Sequence, residues 1–99
     1  MEGTANAVRL AGTLTEKQPL RYTPAGIPFF EGTFHYIGEV FEGGSMRKLE
    51  FDFTATAFSE CALRLAGLAE GKAAELAGFL APKSLRARRL TVHVTEFTE

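Results

Sequence analysis

Apolar residues recur at every second position along much of this 99-residue chain. Val8, Leu10 and Leu14 alternate with Arg9, Thr13 and Thr15. Phe30, Gly32, Phe34 and Tyr36 fall on one side, with Glu31, Thr33 and His35 on the other. Leu49, Phe51, Phe53, Ala55 and Ala57 alternate with Lys48, Glu50, Asp52, Thr54 and Thr56, and Leu90, Val92 and Val94 with Thr91, His93 and Thr95. A strand sends successive side chains to opposite faces, so a period of two predicts half-buried strands. In the third stretch the Leu/Phe/Ala face is expected inside. A chain written this way folds into a sheet with one covered face.

The residues between these stretches set the order of elements. Gly12 interrupts the first strand and predicts a bulge there. Glu16 to Pro19 turns the chain, and Pro24-Ala25-Gly26 suits a turn with a positive φ at Gly26. Glu42-Gly43-Gly44-Ser45 reads as a hairpin connection. Ser59 is placed to cap a short helix, in which Cys61, Leu65 and Leu68 form a stripe widened by Ala62, Ala66 and Ala69, with Gly71 as its stop. Ala73 to Ala81 admits two readings. Its Ala, Glu and Leu favour a helix, whereas Gly78 and Pro82 disfavour one, and Leu76, Gly78 and Leu80 alternate as in a strand. Read as a strand, it makes the order β-β-β-α-β-β. The fold class predicted is mainly β: a five-stranded OB-fold Greek-key barrel with one short helix between strands 3 and 4. The length suits one domain over residues 1–99.

Several function classes lack support. The one cysteine, Cys61, forms no internal disulfide, reads as a small buried hydrophobe and, with two distant histidines, offers no metal-ligand spacing. His35 and His93 read as polar-face residues outside any catalytic signature, and Glu50 with Asp52 as a solvated face. An enzyme is not expected, nor a cofactor or metal. No apolar run approaches the roughly 18 residues of a membrane span. Met1 to Asn6 lacks the basic start and apolar stretch of a signal peptide, so a cytoplasmic protein is expected.

Binding is better supported. The net charge is only −1, but Lys83-Ser84-Leu85-Arg86-Ala87-Arg88-Arg89 carries cations and no anion. It falls between strands 4 and 5, a loop with which OB-folds hold oligonucleotides. Cations there neutralise phosphates and release counterions. Arg21 beside Tyr22 is a second candidate, since a guanidinium and an aromatic ring together suit a phosphate and a base. Tyr22 reads equally well as packed on the following turn. Phe58 lies on the outward face with Thr54 and Thr56 as a stacking platform, and Lys48 completes the candidate set. Phe29 and Phe79 also face outward, where cover by the helix or a second subunit is the better reading.

These segments resemble a known family. Asn6-x-Val8-x-Leu10-x-Gly12-x-Leu14 and Arg21-Tyr22-Thr23-Pro24-Ala25-Gly26-Ile27-Pro28 are similar to the opening of bacterial single-stranded DNA-binding proteins. So are Ala57-Phe58-Ser59 with Ala62, Gly71, and Leu90-x-Val92-His93-Val94. The absence of Trp, the end at Glu99 and the stretch Gly78-Phe79-Leu80-Ala81-Pro82-Lys83-Ser84 resemble the primosomal replication protein N (PriB) family in particular. That resemblance implies an OB-fold homodimer with Val8, Leu10 and Leu14 at the interface. It implies DNA contact by Lys83, Arg86, Arg88 and Arg89, and a PriA-type helicase and other primosome proteins as partners. The function it implies is a single-stranded DNA-binding accessory of replication restart that stabilises helicase–DNA complexes. Glu50 and Asp52 stand where the general proteins carry binding residues. The alternative is an OB-fold protein-interaction module with little DNA binding of its own.

Overall fold

In the computed structural model, which describes residues 4–99, the alternating stretches become strands of one closed sheet. The first three residues of the Met1–Asn6 stretch lie outside the described residues. The elements are β1 (Val8–Lys17), β2 (Arg21–Tyr22), β3 (Pro28–Glu42), β4 (Ser45–Phe58), α1 (Ser59–Ala66), β5 (Ala73–Pro82) and β6 (Leu90–Thr98). The sheet order is β1-β5-β6-β4-β3-β2, and β1 returns to pair with β3. That second pairing closes the barrel and removes most of its free edge. The five expected strands and the helix are all present; β2, only two residues long, is an addition.

β1 closes the barrel by serving two neighbours. Val8 to Thr13 pair with β5, and Thr13 to Lys17 with β3. The irregularity expected at Gly12 lies instead between Leu14 and Glu16, where the β1–β3 register shifts. Gly12 itself is buried opposite Ala74 in a regular ladder. An extra residue past the switch lets the strand bend toward its second partner.

The core is small and aromatic. Leu14, Phe34, Leu65 and Leu76 are wholly buried, with Phe30, Val92, Val94 and Phe97 around them. Ala55, Ala57 and Ala62 fill the space where β4 meets α1. Cys61 is half-buried at the edge of this core rather than inside it, and burial pushes its thiol pKa up, against a lowering by Arg64.

The helix differs from its sequence reading at both ends. Ser59 makes no side-chain cap; Phe58 occupies the cap position and Ser59 opens the helix at a φ of 60°. β4 runs straight into α1, so the reversal is taken up in the backbone of one residue. The helix ends at Ala66, before Leu68 and Gly71. Leu68 is still buried, and Gly71 turns the chain toward β5 at a φ of 92°.

β3 and β4 are far longer than the alternation suggested, and pair from Phe29↔Phe58 out to Glu42↔Ser45. Gly43 and Gly44 close the hairpin at φ 63° and 86°, the positive pair that matches strand twist in a two-residue turn. The outer half of the hairpin passes the barrel rim, where there is no interior to face. Phe51, expected inside, is therefore 40% exposed. It stacks on Tyr36 at 5.1 Å and leans on Phe53, which stacks on buried Phe34 at 5.7 Å. This ring-to-ring run anchors the hairpin to the core.

Candidate nucleic-acid interface

The outward faces of β3 and β4 form a track of cross-strand pairs that runs from the barrel toward the hairpin tip. Phe29 and Phe58 are register partners with ring centroids 5.1 Å apart. The Arg21 guanidinium sits 5.1 Å above the Phe29 ring, because β2 pairs Arg21 with Phe29. Phe58 is 45% exposed. A half-open ring beside a guanidinium is suited to a base with its phosphate. Tyr22 is exposed at the end of β2, where it pairs with Pro28 just past the turn. That turn is closed by its own bonds, Gly26 N–H to the Thr23 carbonyl and Thr23 N–H to the Ile27 carbonyl, with Gly26 at the expected positive φ.

The next pair is Glu31 and Thr56. Glu31 accepts from Arg21 Nη2 at 2.8 Å and from Lys83 Nζ at 2.5 Å. Partial burial works to raise its pKa, but Lys83 and Arg21 together hold the carboxyl below its ordinary value. One carboxylate thus ties the loop after β5 to β2. Lys83 is folded back onto the barrel, whereas Arg86, Arg88 and Arg89 are exposed and make no ion pair with any described residue. Leu85, at the turn of that loop, is fully exposed.

Beyond Thr33 and Thr54 the track turns acidic. His35 Nδ1 lies 2.6 Å from Asp52, and its Nε2 lies 2.9 Å from Glu50. Hydrogen bonds to Asp52 and then Glu50 push the imidazole pKa above its usual 6.5. This carboxylate pair, read as a solvated face, is bridged by a histidine. Lys48 follows opposite Glu39, and then Phe41 opposite Met46, at 70% and 59% exposure. Glu42 and Arg47 pair at the tip. The sequence reading missed Phe41 and Met46 because it ended the strands near Tyr36 and Leu49. Extending the same alternation by three pairs would have found them.

The remaining candidates lie on other strands. Phe79 is 39% exposed and stacks on His93 at 5.0 Å rather than being covered by the helix. Val8 and Leu10 are half-buried on β1. Leu14 is wholly enclosed by its own barrel and has no surface to give an interface, a correction to its reading as a subunit contact. Its parity is inward, and the closure of β1 onto β3 seals it.

Residues 6–96 match the model of a family described as another single-strand binding protein family. A protein of Nitrosomonas europaea, replication restart protein PriB, is 34% identical over 91 residues, covering 92% of this chain and 84% of its own. The protein of the same name from Bordetella pertussis is 32% identical over 91 residues, covering 92% and 85%. A solved structure of PriB from Ralstonia solanacearum superposes with a TM-score of 0.87 at 32% identity, covering 97% of this chain and 99% of that one. The single-stranded DNA-binding domain of a Synechococcus protein shares the fold, with a TM-score of 0.76 at 18% identity and full coverage of both chains. With an OB-fold barrel and relatives of this identity along nearly its whole length, the chain belongs to the PriB family of single-strand-binding-type proteins.

Proposed function

We propose that this protein binds single-stranded DNA along the outward face of β3 and β4 and the loop after β5, as an accessory of replication restart. The observation that carries the reading is the Arg21–Phe29–Phe58 stack, half open to solvent, with Lys83 tied to Arg21 through Glu31 and three exposed arginines in the loop that Lys83 opens. Rings of this kind stack any base, and the cations follow the backbone. The replication restart name of the curated relatives supports the same role. In that role a PriA-type helicase and other primosome proteins are partners, and the protein stabilises the helicase on its DNA.

Two copies would join through β1. Val8 to Gly12 pair with β5 on one side only, and the other side carries no strand among the described residues. Val8 and Leu10 add apolar surface beside that edge, so an antiparallel second β1 fits. Sedimentation at micromolar protein should show two-chain particles; single chains would contradict this.

Phe58→Ala tests the DNA reading. Losing one stacking ring costs about 1–3 kcal/mol, roughly 5- to 150-fold in affinity for a labelled single-stranded oligonucleotide. Unchanged affinity in a folded variant would remove the track as the binding surface. One feature favours a second reading, an interaction module with little DNA binding: Glu31, Glu50 and Asp52 place carboxylates along the whole track. A helicase pull-down that survives nuclease treatment and loss of the loop arginines would support that alternative.

A further inference from the structure

The row of outward side chains that starts at Glu31 continues across the barrel. Thr56 on β4 is opposite Glu31, His93 on β6 opposite Thr56, and Phe79 on β5 opposite His93. Thr56 is 2% exposed, and its Oγ1 is buried without a hydrogen-bond partner among the described residues. The same is true of His93 Nε2. Buried polar side-chain atoms are paired in the great majority of native structures, so two side by side need an explanation.

Both residues line a cleft of about 360 Å³ between β4, β6 and the start of α1. Phe58 and Phe79 also line it, each more than a third exposed, with Phe79 lying nearly flat over the His93 imidazole at an interplanar angle of 16°. At its rim Ser59 holds the left-handed φ of 60°, a conformation uncommon outside glycine that clusters at ligand sites. Aromatic side chains around neighbouring hydrogen-bonding groups complement a flat heteroaromatic ring with a polar edge. An aliphatic side chain in the same place would leave the hydroxyl and the ring nitrogen unpaired. At the start of the row Glu31, the register partner of Thr56, holds Arg21 and Lys83.

We propose that this cleft receives one nucleobase of a bound single strand, packed by Phe58 and Phe79 and read at its edge by Thr56 Oγ1 and His93 Nε2. The inference rests on the DNA-binding reading above and adds base preference to it. The two polar atoms lie below the surface, so the exposed Phe58 and Phe79 side chains part as the base enters, a motion that exposed side chains make in picoseconds to nanoseconds. A hydroxyl donates or accepts, and the imidazole does either according to its tautomer.

The test compares the full chain with Thr56→Val and His93→Phe on labelled dA, dC and dT homo-oligonucleotides. Wild type should prefer one base by about tenfold, within the range of a good edge contact. Each variant should reduce that preference to about threefold or less while keeping the salt dependence of binding. In the unmodified protein, the ¹⁵N resonance of His93 Nε2 should shift on adding the preferred oligonucleotide, a readout that needs no variant to fold. Equal affinity for all three bases, a preference that survives both substitutions, or an unmoved His93 resonance would each overturn the cleft while leaving the track reading intact. Failure of every oligonucleotide to bind would overturn both.

Discussion

At the scale of single residues, Glu31 has the widest reach. It holds Arg21 and Lys83 at once, so two of the cations expected to meet phosphate already have a partner. Exposed ion pairs are worth only about 0–1 kcal/mol each, so DNA can displace them, but at a cost in affinity. Glu31→Gln should raise affinity for single-stranded DNA by about three- to tenfold in a fluorescence anisotropy titration, and a fall would contradict the competition. Phe58 was legible in the sequence because strand parity alone turns it outward. Glu31 was not, because its two partners arrive from β2 and from the loop after β5, which only the closed barrel brings together.

His35 makes a second argument at this scale. Its folded pKa lies above the unfolded value of 6.5 because Asp52 and Glu50 hold the charged ring. The stabilisation is fully present below about pH 6.5 and is lost as pH rises through the higher folded value. The melting temperature of wild type relative to His35→Gln should therefore fall as pH rises from about 6 through the neutral range. A difference independent of pH would contradict the charged bridge. The same titration removes a positive charge from between two carboxylates, so DNA affinity should weaken in the same direction.

Among the elements, α1 shows how tertiary contacts replace local signals. Eight residues are too few to hold a helix alone, and no side chain caps its start. Its end is held from outside: Lys17 Nζ donates to the carbonyls of Ala66 and Leu68 at 2.8 and 2.9 Å. A cation at a helix C-terminus meets the partial negative charge there. Lys17→Met should cost about 1.5–3 kcal/mol in chemical denaturation, the range of hydrogen bonds to a charged group. A loss within about 0.5 kcal/mol would show the cap to be dispensable. The sequence marked Ser59 and Gly71 as the helix limits because both suit such positions in isolation. The structure moves both limits, since β4 leads directly into the helix and Lys17 comes from β1.

The strands were read more fully than their ends. Alternation identified all five long strands, including Ala73–Pro82, where composition alone was equivocal. There Gly78 sits beside the shift in the β5–β6 register, and a side chain on it would fall 1.8 Å from the His93 carbonyl oxygen. What alternation does not contain is where the barrel stops. Phe51 keeps the pattern of buried residues, yet lies on a hairpin that has left the core.

On the scale of the whole molecule, the principal extents of 50 × 37 × 23 Å reflect a barrel with a projecting hairpin. Charge is divided along the outward face. Arg21 and Lys83 gather on Glu31 at the barrel end, Glu50 and Asp52 flank His35 in the middle, and Phe41 with Met46 mark the tip. A net charge of −1 conceals this division. The central claim is that the arginine loop and the aromatic track together hold single-stranded DNA. Its most direct test is a titration of labelled single- and double-stranded oligonucleotides from low to moderate salt, with wild type and an Arg86→Ala/Arg88→Ala double variant. Single strands should bind more tightly than duplex. Affinity should fall with salt, and the double variant should bind more weakly with a log–log slope shallower by about 1.4, or roughly 0.7 for each phosphate that the arginines no longer neutralise. Absence of binding to single strands at low salt, or an unchanged slope in the double variant, would contradict the account.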